Sequence, residues 1–248
     1  MYDFVLRTRQ LLTDKDGFDN WQKKEERCSL NPKETAIVII DMWDRHWCAG
    51  ANARGAELGA KINETAKRAR EKGTVIVHAP SDTMDFYKNS EARKRLLQTP
   101  LCENIPQKDV KDYPLPVDSS DGGSDTPSVD RNEPNTVVWK RQTEKIFVDE
   151  SRDIVGEEGD LIYSYLAKNG VKNIIYMGVH TNMCVLGRPF AIKAMLRRTM
   201  GVMLCRDLTD SMYNPAKPPY VSHGEGTRLV VEYIEKFYCP TMESGQII

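Results

Sequence analysis

Three residue types that together support nucleophilic chemistry stand where apolar runs of the sequence end. Asp41 follows a run of five apolar residues, Lys140 follows a Thr-Val-Val-Trp run, and Cys184 comes shortly after a run that reaches Gly178. A carboxylate accepts the proton of a thiol, an ammonium group favours the thiolate, and backbone N–H groups hold the oxyanion formed at an attacked carbonyl. The three residues therefore predict nucleophilic acyl or imidoyl transfer, with Cys184 as the nucleophile.

The surroundings of Cys184 separate it from the other cysteines. It stands where a helix is predicted to begin, and a helix N-terminus lowers the pKa of a thiol. The others are too sparse for a disulfide scaffold and form neither a CxxC pair nor a zinc-finger spacing; they are Cys28, Cys48, Cys102, Cys205 and Cys239. We expect most of them to be buried thiols, and Cys205 and Cys239 to be inert. A lone Asp, Lys or Cys is more often a helix cap, a solvated side chain or a core filler, so the prediction rests on all three together.

Short apolar runs alternate with amphipathic segments along most of the chain, which is typical of a parallel sheet covered by helices. The pattern predicts a three-layer, doubly wound α/β fold with a mostly parallel sheet of five or six strands and helices on both faces. The predicted strands cover residues 36–40, 74–77, 136–139, 173–177 and 201–205. Ligands of such sheets bind outside the carboxyl ends of the strands, where Asp41, Lys140 and Cys184 are expected to meet.

Helices are predicted between these strands, and two segments fall outside the repeat. One predicted helix carries Leu58, Ile62, Ala66 and Ala69 on one face, and the others cover residues 158–168, 184–198 and a segment around 229–237. Residues 1–34 are expected to form an edge hairpin or arm. Residues 100–135, rich in Pro, Asp, Ser and Gly, are expected to form a long insertion that is mobile or ordered by a ligand.

Length and charge limit the classes of partner. The 248 residues are predicted to form one domain, residues 1–248, and 35 basic against 36 acidic side chains give a net charge of −1. No global field would draw such a chain to nucleic acid or to a membrane surface, and no apolar run reaches the roughly 18 residues that span a bilayer. We expect a small-molecule substrate, and the compartment stays open between the cytoplasm and export with a trimmed signal peptide.

The motifs resemble those of the isochorismatase-like cysteine hydrolases, which include nicotinamidase and N-carbamoylsarcosine amidase. The resemblance covers about residues 35–238 and lies in Ala36-Ile37-Val38-Ile39-Ile40-Asp41-Met42, Val137-Val138-Trp139-Lys140 and Gly178-Val179-His180-Thr181-Asn182-Met183-Cys184-Val185. It implies that Asp41 is the general base, that Lys140 assists thiolate formation and that Cys184 is the nucleophile. It also implies a cis peptide bond between Val179 and His180, with the N–H groups of His180 and Cys184 directed at the oxyanion.

The chain departs from this family where nicotinamidases hold a metal. The stretch that begins at His78 lacks the family's Asp-x-His pair, so neither a metal nor another cofactor is predicted. Asp44-Arg45-His46 is such a pair after a different strand, and the sequence leaves open whether it meets His78 around a metal. The residues predicted to line the substrate pocket are Trp43, Asp44, His46, Trp47, His78 and Val179. Arg188 is expected to bind an anionic group or to pair with a neighbouring acid.

Three functions are compatible with these residues. The leading hypothesis is a cysteine hydrolase that cleaves a C–N bond of a small amide, ureide or carbamoyl compound through a Cys184 thioester. The second is vinyl ether hydrolysis of the isochorismatase type, which needs no Cys nucleophile. The third is a catalytically silent binding protein of the same fold. Related proteins are often dimers or tetramers, so a homo-oligomer is expected by analogy.

Overall fold

A single eight-stranded sheet organises the chain, and the computed structural model describes it over residues 1–247. The strands are β1 (Tyr2–Thr13), β2 (Asp19–Leu30), β3 (Thr35–Ile40), β4 (Val75–Ala79), β5 (Ile154–Val155), β6 (Asn173–Val179), β7 (Gly201–Asp210) and β8 (Thr241–Met242). Their order across the sheet is β2-β1-β8-β7-β6-β3-β4-β5. The six helices are α1 (Ala49–Glu71), α2 (Glu91–Leu97), α3 (Gly159–Lys168), α4 (Cys184–Gly187), α5 (Ile192–Arg197) and α6 (His223–Phe237).

Alternate residues of the central strand β3 enter two different cores. Ala36, Val38 and Ile40 pack in one core with side chains of α3, α5 and α6, whereas Ile37 and Ile39 pack in the other with side chains of α1. Because successive side chains of a strand point to opposite faces, the sheet is covered by helices on both sides. The predicted mostly parallel α/β fold is therefore confirmed.

The sheet has more strands than predicted because both termini extend it. β1 and β2 form an antiparallel hairpin of 12-residue strands, and β1 joins the parallel part through a short antiparallel pairing with β8. An ion pair also attaches the hairpin to α6, because Arg7 Nε donates a hydrogen bond to Glu235 at 2.7 Å. The hairpin expected in residues 1–34 is thus present at the edge of the sheet. No helix within residues 1–247 has the length and apolarity needed to cross a membrane.

Residues 136–139 do not form the strand that their apolar run predicted. The position beside β4 is occupied by β5, which pairs with Val77 and His78. Residues 136–139 instead run along the surface, where Val137 is exposed and Trp139 stacks on Trp43 with the ring centroids 3.9 Å apart. A short apolar run is compatible with any half-buried extended segment, so periodicity alone did not distinguish this loop from a strand.

The helix predicted from Cys184 to Arg198 is interrupted. α4 ends at Gly187, Arg188 has an extended backbone with φ −60° and ψ 155°, and α5 begins only at Ile192. Pro189 explains the break, because proline has no N–H for the helix ladder and disfavours the helical conformation of the residue before it. Because of the break, the Arg188 side chain does not point in the direction that a continuous helix would give it.

Residues 100–135 form an irregular segment that an ionic cluster attaches to the rest of the fold. Asp125 accepts from Arg54 Nη1 at 2.8 Å, and Arg54 Nε donates to Asp210 at 2.8 Å. The His223 ring lies between the two carboxylates, 3.2 Å from Asp125 and 2.9 Å from Asp210. The cluster joins the insertion to α1, β7 and α6, and Gly122 of the insertion borders the pocket described below.

This cluster predicts a pH-dependent stability. Burial by itself would lower the pKa of His223, but the hydrogen bond and charge of Asp210 outweigh it and the pKa is raised. A raised histidine pKa contributes stability that is complete below its ordinary value of about 6.5 and is lost as pH rises through the folded-state pKa. His223→Gln should therefore lower the free energy of unfolding by about 1.5 kcal/mol at pH 6 and by less at pH 9, measured by urea denaturation. An equal loss at both pH values would contradict the charged contact.

Candidate active site

A fully buried carboxyl group lies at the end of the central strand. Asp41 follows β3 with φ +48°, and its Oδ1 accepts the Ser81 N–H at 2.7 Å. Its Oδ2 accepts from Arg188 Nε at 3.2 Å, and the Cys184 thiol is a further side-chain hydrogen-bond partner. Loops after three adjacent strands and the residue after α4 thus converge on one carboxyl group.

Close packing of β6 against β3 places the Cys184 loop beside Asp41. Gly178 pairs with Ile40 and has φ +109°, and a Cβ at this position would lie 2.0 Å from the Ile40 carbonyl oxygen. Only glycine fits this approach. The Val179–His180 peptide bond that follows is cis, and Cys184 is the first residue of α4. The His180 N–H contacts the Cys184 sulfur as a hydrogen-bond donor.

The expected low pKa of the Cys184 thiol is not found. Burial raises this pKa most, and the negative charge of Asp41 raises it further, whereas the Arg188 charge and the His180 N–H act in the opposite direction. A helix N-terminus was expected to lower this pKa, but α4 has only four residues and too small a dipole to oppose desolvation. Burial raises the pKa of Asp41 as well. The negative charge of one group therefore disfavours ionisation of the other, and the thiol holds its proton at rest.

The structure does not bring the Lys140 side chain to this pair. Lys140 is exposed, and within residues 1–247 its ammonium group forms no ion pair. Its backbone N–H donates to Asp44 Oδ1 at 3.0 Å, and the Asp44 N–H donates to the Arg141 carbonyl at 2.9 Å. Asp44 thus secures the backbone of this loop. The cation that contacts Asp41 is Arg188.

An aromatic pocket opens above Cys184. Trp43 and Trp139 are stacked, and the His46 ring lies within 6.0 Å of both ring centroids. The space beside Cys184, counted together with its opening to solvent, has an empty volume of about 450 Å³. A neighbouring space of about 420 Å³ beside Asp41, counted in the same way, shares Trp43, His46 and His180 with it. The predicted pocket residues found around these two spaces are Trp43, Asp44, His46, Trp47 and Val179.

Two histidines line the pocket in their neutral forms. Burial, with a smaller contribution from the Arg54 charge, lowers the pKa of His46 to about 4. Burial, followed by the charge of His46, lowers the pKa of His180 to about 3. His46 Nδ1 accepts the Cys48 N–H at 3.1 Å, so the proton of the neutral ring is on Nε2. The pocket therefore offers fixed neutral donors and acceptors at pH 7.

His78 does not line the pocket, contrary to the prediction. It is fully buried, and its ring nitrogens contact Gln142 at 3.0 Å and Asp153 at 3.1 Å. Asp153 also accepts two hydrogen bonds from Arg70, at 2.7 and 3.1 Å. His78 points to this buried ion cluster because it lies inside β4 rather than after it. Across residues 1–247, no three His, Cys, Asp or Glu side chains are grouped to hold a metal ion.

Sequence reasoning missed two residues of the site. Ser81 supplies the N–H that binds Asp41, and Asp82 accepts from Arg188 Nη2 at 3.4 Å. Both follow β4, whose carboxyl end adjoins that of β3. The general rule that ligand-binding residues follow parallel strands could have identified them. The sequence predicts that Arg188 binds an anionic group or pairs with an acid, but no pattern indicates which acid it meets.

Comparisons with known proteins identify the fold. No protein-family model matches the sequence, and no curated protein sequence is significantly similar to it. A cysteine hydrolase structure from Pseudomonas syringae pv. phaseolicola 1448A has a TM-score of 0.54 and 18% identity, and the match covers 88% of this chain and 92% of that one. An isochorismatase structure from Pseudomonas putida KT2440 has a TM-score of 0.51 and 10% identity, with the same coverages. The chain therefore has the fold of the isochorismatase and cysteine hydrolase structures, as the sequence resemblance implied.

Proposed function

We propose that the protein is a cysteine hydrolase that cleaves a C–N bond in a small amide, ureide or carbamoyl compound. The observation that carries the proposal is the Cys184 thiol, which lies against the buried carboxyl group of Asp41 at the base of an aromatic pocket. A thiol beside a base, open to a ligand-sized space, is the arrangement that nucleophilic catalysis needs.

The first half of the proposed reaction forms a thioester. Asp41 takes the proton of the Cys184 thiol while Sγ attacks the carbonyl carbon, which forms the C–S bond and places negative charge on the carbonyl oxygen. Protonated Asp41 then gives its proton to the leaving nitrogen, the C–N bond breaks, and an amine or ammonia departs. Because the raised pKa keeps the Cys184 thiol protonated at rest, Asp41 removes this proton as the sulfur attacks, and no preformed thiolate is required.

The second half releases the acid. A water molecule takes the place of the departed amine, Asp41 accepts its proton, and the hydroxide oxygen attacks the thioester carbon. The C–S bond breaks and the proton returns to the Cys184 sulfur, which restores the resting pair. The proposed steps do not use Lys140, since the structure gives its side chain no contact with the pair.

Backbone N–H groups of His180 and Cys184 are the proposed oxyanion donors. Within residues 1–247, neither N–H donates to a backbone carbonyl in the loop from His180 to α4. The His180 backbone interacts with the Cys184 sulfur, and the Cys184 N–H belongs to the nucleophilic residue itself, so both donors are near the atom that bonds the substrate carbon. Donors fixed before the reaction stabilise the developing charge without reorganisation.

The pocket supports a small, flat and uncharged substrate. Its walls are the rings of Trp43, Trp139 and His46. Among the side chains that the structure describes, Arg188 is the one cation that lines the pocket, and it is already paired with Asp41 and Asp82. An anionic substrate would be repelled by the carboxylates of Asp41 and Asp82 and attracted only by the guanidinium group of Arg188. Neutral amides and ureides place a planar group on aromatic walls at no such electrostatic cost.

A substrate screen with covalent trapping tests the proposal. Purified protein is incubated with a panel of small amides, ureides and carbamoyl compounds, quenched in acid and analysed by peptide mass spectrometry. A substrate should give a product with a free amine or ammonia and an acyl adduct on the peptide that contains Cys184. Peptides that contain Cys28 or Cys102, both partly exposed, are internal controls. Turnover with no adduct at Cys184, in a quench fast enough to trap thioesters, would refute the thioester route.

A further inference from the structure

We propose that Arg188 supplies the positive charge of the active site, in the role that the sequence resemblance gave to Lys140. Arg188 Nε lies 3.2 Å from Asp41 Oδ2, and the same side chain borders the pocket that contains Cys184. This inference rests on the proposed function, because it assigns a positioning residue to the same nucleophile and base.

The chain places Arg188 here through the interruption after α4. A regular helix would carry residue 188 one turn beyond Cys184 on the same helix surface. Because α4 ends at Gly187, the extended backbone of Arg188 instead directs the side chain toward the ends of β3 and β4. There the guanidinium donates through Nε to Asp41 and through Nη2 to Asp82. Two hydrogen bonds from the planar, rigid guanidinium group to different carboxylates fix its orientation more firmly than a flexible ammonium group would.

The electrostatic consequences follow from what surrounds the pair. Within residues 1–247, Arg188 is the cation in contact with the pair, and Asp82 after β4 pairs with the other side of its guanidinium. The neighbouring imidazoles of His46 and His180 are neutral near pH 7. Arg188 is therefore the cation that offsets the burial of Asp41. Its charge lowers the pKa of Asp41 and of Cys184, although burial keeps both above their ordinary values.

Arg188 affects the fraction of molecules in which Asp41 and Cys184 are in the reactive protonation state. The reactive form carries one negative charge and one proton over Asp41 and Cys184, and it appears as pH rises through the first apparent pKa of the pair. Without the Arg188 charge, burial of that negative charge is less compensated, so the first apparent pKa moves upward. A one-unit upward shift reduces the reactive fraction tenfold at any pH well below the midpoint.

The pH dependence of Cys184 alkylation tests this role without a substrate. Iodoacetamide labelling is followed by peptide mass spectrometry from pH 4 to pH 9 in wild-type protein, Arg188→Gln and Lys140→Gln. Arg188→Gln should move the midpoint up by one unit or more and slow labelling about tenfold below it, whereas Lys140→Gln should leave the midpoint in place. Arg188→Lys retains the charge but loses the second hydrogen bond, so its midpoint should lie between those of wild type and Arg188→Gln.

Two results would overturn the proposal: an unchanged midpoint in Arg188→Gln, or a shifted midpoint in Lys140→Gln alone. If Arg188→Gln does not fold, the test uses Arg188→Lys instead. An unchanged labelling midpoint in Arg188→Lys would then overturn the assignment. A purely structural role for Arg188 would lower the melting temperature without moving the midpoint. Failure of the proposed function looks different, because labelling of wild-type Cys184 would then show no step at the acidic midpoint of the pair and would rise only as the thiol itself ionises.

Discussion

Cys184→Ala should reduce turnover of any substrate found in the screen by about 10⁴-fold or more, with little change in the binding of that substrate. Removal of the nucleophile of a hydrolase leaves only the oxyanion donors and the pocket to act on bound substrate. The side chain is small and partly buried, and its loss leaves Asp41 paired with Ser81 and Arg188. Steady-state kinetics should therefore show the loss in kcat, and the thioester adduct should disappear.

Cys28→Ala provides the matched control for Cys184→Ala, because Cys28 lies on the edge strand β2. This variant should retain wild-type turnover. Full activity of Cys184→Ala would contradict the nucleophile assignment. Turnover of isochorismate that survives Cys184→Ser would instead support the vinyl ether hydrolase, which needs no thioester.

Asp41→Asn should reduce kcat by about 10³-fold and remove the acidic limb of the pH–rate profile. General base catalysis contributes about 10²- to 10⁴-fold, and an amide cannot accept the thiol proton. Burial raises the pKa of Asp41, so wild-type activity should fall on acidification at a pH above the ordinary carboxyl value of about 3.9. Asn has the same shape and can still accept the Ser81 N–H, which separates the chemical role of Asp41 from its structural one.

Asp85→Asn is the control for Asp41→Asn, since Asp85 is an exposed carboxylate in the loop after β4. We expect an unchanged pH–rate profile for this variant. An acidic limb that persists in Asp41→Asn would mean that another group accepts the thiol proton. The profile would then have to be assigned among the remaining carboxylates, with Asp82 closest in the ion-pair network.

The alternation of apolar and amphipathic segments was sufficient to predict the fold class, because buried parallel strands and their covering helices differ in periodicity. The same pattern gave wrong predictions for two segments in which periodicity does not distinguish the alternatives. The four-residue run 136–139 has the composition of a strand, yet two-residue β5 occupies the edge beside β4. Likewise, one helix was predicted over residues 184–198, although Pro189 interrupts it.

The sequence by itself determined that Asp41 and the Cys184 loop end two buried strands. Once β3 and β6 pair in parallel, these ends lie side by side, so local sequence is enough to predict that carboxylate and thiol meet. Only the tertiary structure decided which cation joins them. Lys140 and Arg188 both lie in irregular segments, where side-chain direction depends on turns and packing partners far along the chain. The tertiary structure also decided the pKa of Cys184, because the desolvation that raises it comes from residues that only folding brings together.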